Sequence, residues 1–386
     1  MYDFIIIGGG ISGLYTSFKL LQKYPFCKLL LIEKNKLGGR TGQIMYEGIP
    51  IVTGAGIGRK KKDKLLLKLL DDFKFPIREF DVTHSYKEPK VDLFYYLRNQ
   101  YRKQPFKGTF KQFALSILDQ KTYQDFLITS GFTDFEHEDV YDTLFLYGFE
   151  DNIKNWIGFS VPWKKLVDSL ASFITPKRIQ INREVIKVLK YKMDFYQLEL
   201  HTHEILYTKK VIFATTIDTV QRLVPVQKMM YKEIKGQPFL RIYGKFSNNN
   251  ILVKNMTMVK GPLQKILPID TSKGIYMISY SDNKYANQLL PYLENTKENR
   301  NYLCRLLEKA LYLPKNSLHL DSIKSIFWNI GTHYYKPNHK DESRQEFIFK
   351  AQRPLKNMFI VGEMISMNQG WVEGALESVE EVFEEL

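Results

Sequence analysis

The sequence predicts a mixed α/β fold in which a mostly parallel sheet is interleaved with a smaller α+β unit. Three observations predict it. A strand–glycine–helix–strand run begins at the third residue, a second strand–glycine–helix junction closes the chain, and no flexible linker separates what lies between. Without a linker, interleaved domains are expected rather than a tandem pair. The expected division puts residues 1–83, 161–235 and 325–386 in a nucleotide-binding unit. Residues 84–160 and 236–324 form a substrate-binding unit.

The opening run sets the rest. Phe4 to Ile7 is an apolar stretch long enough for one buried strand, and Gly8-Gly9-Gly10-Ile11-Ser12-Gly13 follows it. A helical pattern with apolar Leu14, Phe18 and Leu21 comes next, then an apolar strand from Lys28 to Ile32. Gly8 permits the tight turn, Gly10 admits a pyrophosphate to the backbone, and Gly13 allows close helix–strand contact. The helix start, with Ser12 in its first turn, offers unpaired N–H groups and a positive dipole end. Glu33 lies twenty residues past Gly13, where an acid accepts from a ribose hydroxyl, with Lys34 beside it. This is a Rossmann-like dinucleotide site.

Which dinucleotide is decided by Gly38-Gly39-Arg40-Thr41. A nicotinamide domain has no standing use for such a loop. In a flavoprotein it turns back over the cofactor, its glycines giving backbone approach and its arginine a fixed charge near the pyrophosphate. FAD is therefore expected, from Gly39, Arg40 and Thr41. A second glycine cluster, Gly54-Ala55-Gly56-Ile57, lacks the spacing of a phosphate loop and is read as backbone passing close to a ring system.

Composition narrows the class. The 386 residues are 44% hydrophobic and 14% aromatic, enough for a sizeable core. Cys27 and Cys304 give neither a disulfide framework nor metal-ligand spacing, so a reducing compartment and no metal are expected. A strand starting at Asp3 leaves no room for a leader, and no apolar run approaches the ~20 residues of a membrane span. A soluble, intracellular, cytoplasmic protein is expected. The formal charge of +14 raises a nucleic-acid reading, but the only dense basic run, Arg59 to Lys64, leads into an amphipathic helix at Leu65 to Phe73. A solvated helix start accounts for it, and there is no strong nucleic-acid signal.

Further along, Gln43 to Thr53 reads as strand. Residues 84–160, rich in Tyr, Phe and acids without clean periodicity, read as short helices, and Pro162 to Phe173 as one helix. Strands are expected at Ile179–Ile181, Val185–Tyr191, Tyr196–His203 and Lys210–Ala214, the last apolar enough for a buried parallel strand. Residues 239–281 alternate as strands do, Asn283 to Leu313 is mostly helical, and Ser325 to Ile330 is a strand. Gly331 to Pro337 reads as a loop. Met358 to Val361 is one more apolar strand, ended by Gly362-Glu363. Gly370-Trp371-Val372-Glu373-Gly374-Ala375 then starts the closing helix. Its N–H groups and dipole would face the pyrimidine edge of a flavin and stabilise the reduced ring by about 0.3–2 kcal/mol. Gly370 and Gly374 are poor choices for mere packing in a helix start.

With these pieces in order from end to end, the sequence resembles the flavin-containing amine oxidase family, which includes monoamine and polyamine oxidases and L-amino acid oxidases. The matching pieces are Gly8-x-Gly10-x-x-Gly13, Glu33, Gly38 to Thr41, Gly54 to Gly56, Glu184-Val185, Ala214-Thr215-Thr216, and Gly362-Glu363 with Gly370 to Ala375. In length it resembles the compact forms of large DNA viruses, which would make the location a host cell. The resemblance implies extended FAD, with the Val185 backbone meeting the adenine and Ala214 among the cofactor-binding residues. Gly362, Glu363, Gly370, Trp371, Val372 and Ala375 would lie along the ribityl and ring side, and Gly56 and Ile57 beside the ring. It implies hydride transfer from the carbon next to an amine, hydrolysis of the imine, and reoxidation by dioxygen to give peroxide. The partners are then a small amine and dioxygen.

The resemblance also assigns roles. Trp371, with Tyr334 or Tyr335, would form an aromatic pair around the amine. Lys265, or Lys254 after it, would hold a water near the flavin's reactive nitrogen. No cysteine stands beside Tyr334, where His333 is found, so non-covalent FAD is expected over a histidyl link. The family's carboxylate-gripping arginine and its polyamine-type histidine are both missing near Ile57, which argues against an amino acid substrate. Two other readings stay open: a desaturase or isomerase on a polyprenyl or carotenoid-like compound, and a flavin-bearing protein that acts through binding alone. The sequence does not give the oligomeric state.

Overall fold

A computed structural model describes residues 1–192, 194–224, 226, 228–247, 252–338 and 342–386. The opening run folds as its residues require. Strand β1 (Tyr2–Ile7), helix α1 (Ile11–Lys23) and strand β2 (Leu29–Ile32) form a βαβ unit, with Ile5 opposite Leu30 in a parallel ladder. On its other side β1 pairs in parallel with Ile205–Phe213, which in turn pairs in parallel with Met358–Ile360. Two antiparallel strands, Tyr196–Leu200 and Val185–Lys190, extend the sheet at one edge, and Ile179–Gln180 closes the other.

Continuous apolar strands bury both faces. Phe4, Ile6, Leu29 and Leu31 join a core with α1, Trp163–Ile174 and the closing helix Val372–Phe383. Ile5, Ile7, Leu30 and Ile32 join the opposite core with Val188, Leu198 and Phe347.

A second sheet is almost wholly antiparallel. Its order is Leu320–Tyr335, Ile234–Phe246, Ile275–Asp282, Lys265–Asp270, Met256–Met258 and His84–Tyr86, the last pair alone being parallel. Helices Asn283–Leu289 and Lys297–Leu311 cover one face through Leu289, Leu303 and Leu307. Helices between Phe94 and Ile153 enclose a separate aromatic core of Phe94, Phe110, Phe126, Phe135 and Phe149. Each is 11 residues or shorter, so no long helical period develops there.

Three expectations need correction. Gly331 to Pro337 was expected as a loop, but the strand runs through to Tyr335, with His333 opposite Gly236 and Thr332 opposite Gln237. The long partner strand supplies the ladder, and Gly331 is needed because a Cβ there would lie 2.1 Å from Cβ of Phe239. The strand expected from Lys210 begins earlier, at Ile205. Gly374 does have a packing reason, since a Cβ on it would sit 1.9 Å from the Asn368 carbonyl oxygen. Part of the alternating stretch 239–281 lies outside the described residues, at 248–251.

Three cations of the basic run are paired locally. Arg59 pairs with Asp63 and Asp151, Lys60 with Glu79, and Lys62 with Asp151. Among the described residues no helix is long and apolar enough to cross a membrane, and no cluster of His, Cys, Asp or Glu could hold a metal ion.

Candidate active site

The first glycine loop is shaped as its sequence requires. Gly8 has φ +108°, and a Cβ there would lie 2.3 Å from the Ala214 carbonyl oxygen. A Cβ on Gly13 would lie 1.9 Å from the Gly8 oxygen. A Cβ on Gly10 meets nothing within 4 Å. Gly10 is also the N-cap of α1, with no side-chain cap and no acid in the first turn. Open space over uncapped N–H groups is a fit for a diphosphate.

Around that opening the expected neighbours assemble. The Gly9 N–H donates to Oε2 of Glu33 at 2.7 Å and the Asn35 N–H to Oε1 at 2.8 Å, fixing the carboxylate at the end of β2. Lys34 is exposed and Ser12 buried. The Gly38 N–H donates to the Gly9 carbonyl at 2.8 Å, so the second glycine loop folds onto the first, and the Thr41 hydroxyl ties it off on the Gly38 carbonyl at 2.7 Å. Ala214 donates to the Ile7 carbonyl at 2.8 Å, and Val185 is buried in the edge strand.

Glu363 is the knot of the far side. It accepts from the His333 backbone N–H at 2.9 Å, His333 Nδ1 at 2.8 Å and the Gly370 N–H at 3.0 Å, and lies 3.1 Å from Arg40 Nη1. Burial alone would push its carboxyl up. The His333 and Arg40 charges and the hydrogen bonds outweigh that and hold it at about 2. Arg40 also donates to the Gly331 carbonyl at 2.7 Å. One carboxylate thus joins the Gly38–Thr41 loop, the strand end and the turn before the closing helix. That helix starts at Val372 with Trp371 as an uncapped N-cap, Gly370 at φ +80° and Ala375 buried in the first turn.

The three residues expected to act on substrate lie in different surroundings. The Trp371 indole donates to Asp63 at 2.8 Å, with the Arg59 guanidinium 5.2 Å from its ring. Tyr334 is half-buried and lines a cavity with Asp134, Glu138, Tyr147, Gln237 and Gln369, beside Gly370. Tyr335 lines it too, but its hydroxyl is spent on the Ser366 carbonyl. Lys265 is fully buried against the Phe132 and Tyr280 rings, and among the described residues its Nζ has no hydrogen-bond partner. Burial pushes its ammonium well below the usual range, against the opposing pull of Asp282 and Asp134. Lys254 is exposed. Gly56 accepts from the Trp163 indole at 2.7 Å, and half-buried Ile57 approaches Gly158.

Sequence reasoning missed four residues here: Asp134, Glu138, Gln237 and Arg241. Burial raises the Asp134 carboxyl to about 7, with the Asp282 charge adding to it, and raises Glu138 well above its ordinary value. Oε1 of Gln237 and Oε1 of Gln369 are buried acceptors with no partner. Arg241 is 3% exposed, and its guanidinium lies 3.7 Å from where a side chain on Gly56 would begin. The available signal was the acids of Thr133 to Asp139, too many for a Phe-rich core; Arg241 carried none.

Residues 6–73 match the family described as NAD(P)-binding Rossmann-like domain. Among curated proteins, an uncharacterised protein of Acanthamoeba polyphaga mimivirus is 42% identical over 55 residues, which is 14% of this chain and 11% of that one. L-2-hydroxyglutarate dehydrogenase of Escherichia coli is 35% identical over 60 residues, 14% of each chain. The chain therefore matches only about an eighth of the length of these relatives. Solved structures are matched throughout. An engineered variant of putrescine oxidase, from a redesign of its cofactor binding, superposes with TM-score 0.78 at 14% identity, covering 100% of this chain and 98% of that one. A double mutant from the same redesign reaches 0.80 at 14% identity, with the same coverage. The fold is thus that of putrescine oxidase over its full length, with a Rossmann-like domain at its start.

Proposed function

We propose that this chain binds FAD non-covalently and oxidises a small amine, with dioxygen as the acceptor. Supporting the cofactor are the open space above Gly10, the Gly38–Thr41 loop lying on it, and the full-length likeness to putrescine oxidase, a protein whose cofactor binding has been redesigned. When bound, FAD accepts a hydride from the substrate carbon and passes the electrons on. The residues proposed to hold it are those named from the sequence, from Gly8 to Ala375.

One observation carries the substrate reading. The cavity beside Gly370 presents acceptors: the carboxyls of Asp134 and Glu138 and the unpartnered amide oxygens of Gln237 and Gln369. The two unpartnered amide oxygens are stabilised by a ligand that brings N–H donors. An ammonium supplies them, and the face of Tyr334 adds a cation–π surface. A polyene offers no donor, so the same wall disfavours the desaturase reading. Here Tyr334 orients the amine and the carboxyls take up charge. Trp371, fixed by Asp63 at the start of the closing helix, is not among the residues that line this cavity.

The assay is peroxide release across a panel of primary amines, run beside anaerobic bleaching of the 450 nm band. Amine-dependent bleaching with peroxide on admitting air is the expected result. Bleaching by a polyene alone would establish the desaturase reading, and a yellow protein inert to both would leave a flavin-bearing binding protein.

A further inference from the structure

Two cations are buried close together without the partners that buried charges need. They differ in what they can do about it. Lys265 can release its proton and rest as a neutral amine. Arg241 cannot, because a guanidinium stays protonated in proteins.

Arg241 sits in the strand Ile234–Phe246, and among the described residues no carboxylate lies within ion-pair distance of it. Its company is neutral. The Tyr280 ring is 4.5 Å and the Phe239 ring 5.7 Å from the guanidinium carbon. The Tyr243 hydroxyl donates to the Val52 carbonyl at 2.7 Å, and among the described residues Nε of Arg241 has no hydrogen-bond partner. Lys265 lies behind, its Nζ 4.0 Å from the centre of the same Tyr280 ring, so Tyr280 is shared between the two cations. The guanidinium faces Gly56, with Nη2 and Nη1 at 3.7 and 3.9 Å from the position a Cβ would take there and, among the described residues beyond its chain neighbours, no other atom within 4 Å. A buried charge left in that state is costly unless a ligand brings the opposite one.

We propose that Arg241 holds a planar, delocalised anion of the bound ligand against the Gly54–Gly56 loop. The inference rests on the flavin reading above. Two sources share this chemistry: the reduced cofactor ring, whose pyrimidine edge becomes negative, and a carboxylate carried by the substrate. The fork of the guanidinium fits either. Arg241 is a positioning and electrostatic residue, and Lys265 stands one ring away from that contact.

The test uses the holoprotein with Arg241→Met and Arg241→Lys, after melting curves show that each is folded. The midpoint potential of the cofactor is titrated, and benzoate is added as a carboxylate probe while the flavin spectrum is followed. If the anion is the reduced ring, Arg241→Met lowers the potential, Arg241→Lys restores part of it, and benzoate leaves the wild-type spectrum unchanged. If it is a substrate carboxylate, benzoate perturbs the wild-type spectrum, binds at least tenfold more weakly to Arg241→Met, and the potential stays put. A folded Arg241→Met protein that has lost FAD supports the first source. Yellow variants with unchanged potential and unchanged benzoate response overturn the proposal. Colourless wild-type protein overturns the flavin reading itself, and is seen before any variant is made.

Discussion

Adding one methyl group to Gly10 and one to Gly13 should have opposite consequences, although the two glycines belong to one motif. At Gly13 the new carbon would meet the Gly8 carbonyl oxygen at 1.9 Å, so α1 must move off β1. Gly13→Ala should therefore destabilise the chain by about 1–3 kcal/mol, as overpacking does. At Gly10 the backbone is extended, at φ −70°, and an added Cβ meets nothing within 4 Å beyond its chain neighbours, so a side chain there begins in open space. Gly10→Val should melt like the wild type yet emerge from purification without its 450 nm band, because the side chain fills the space proposed for the diphosphate. A yellow Gly10→Val protein would defeat the cofactor assignment, and its unchanged melting is what makes that result readable. Both glycines were legible in the sequence, since their spacing between an apolar strand and a helix carries the whole argument. Arg241 was not legible: its meaning comes from Gly56 and Tyr280, far away in the chain, and one arginine among apolar strand residues reads as an ordinary outward-facing position.

At the scale of elements, the closing helix does more than end the chain. Helix α2 (Lys64–Asp72) has no side-chain cap of its own, because Asp63 is taken up by Arg59 and Trp371. The missing cap comes from Glu373, whose carboxylate accepts from the Leu65 N–H at 2.7 Å and the Leu66 N–H at 3.0 Å. Glu373→Ala should cost about 1–2 kcal/mol, in the range of a lost N-cap. Glu373→Gln, which keeps an acceptor, should cost less. Amide exchange in residues 64–72 should quicken in the Ala variant; unchanged exchange there would show that the contact caps nothing. The βαβ unit and the closing junction could be read ahead of the structure because their signals are local. The strand through Tyr335 could not, because Gly331 and Pro337 are loop-like and the ladder that overrides them is supplied by residues 234–237. The acids of 134–142 were hidden for a related reason, as only the packing of short helices against the second sheet turns them into a cavity wall.

Across the whole molecule, buried carboxyls of opposite character set the response to pH. Glu363, which joins three distant segments, titrates at about 2 in the folded chain against an ordinary 4.5. A depressed acid stabilises the fold above its unfolded value, so this contribution, roughly 3 kcal/mol, is full above about pH 4.5 and lost as pH falls towards 2. Asp134 has the opposite sign. Its carboxyl is raised from 3.8 to about 7, by burial first and by the Asp282 charge second, while the Tyr147 hydroxyl and Lys265 pull the other way. Its contribution is full below about pH 4 and is lost as pH rises through 7. Free energies of unfolding should therefore decline on both sides of about pH 4 to 5. Glu363→Gln should flatten the acid side and Asp134→Asn the neutral side, each with little effect on the other. The same titration reaches function, since Asp134 becomes the carboxylate an ammonium needs only as pH approaches 7, while a simple alkylamine stays charged. The apparent KM for an amine should then fall several-fold between pH 6 and 8, and that slope should vanish in Asp134→Asn. A KM that ignores pH in the wild type, or one whose slope survives in Asp134→Asn, would place the amine somewhere other than the cavity beside Gly370.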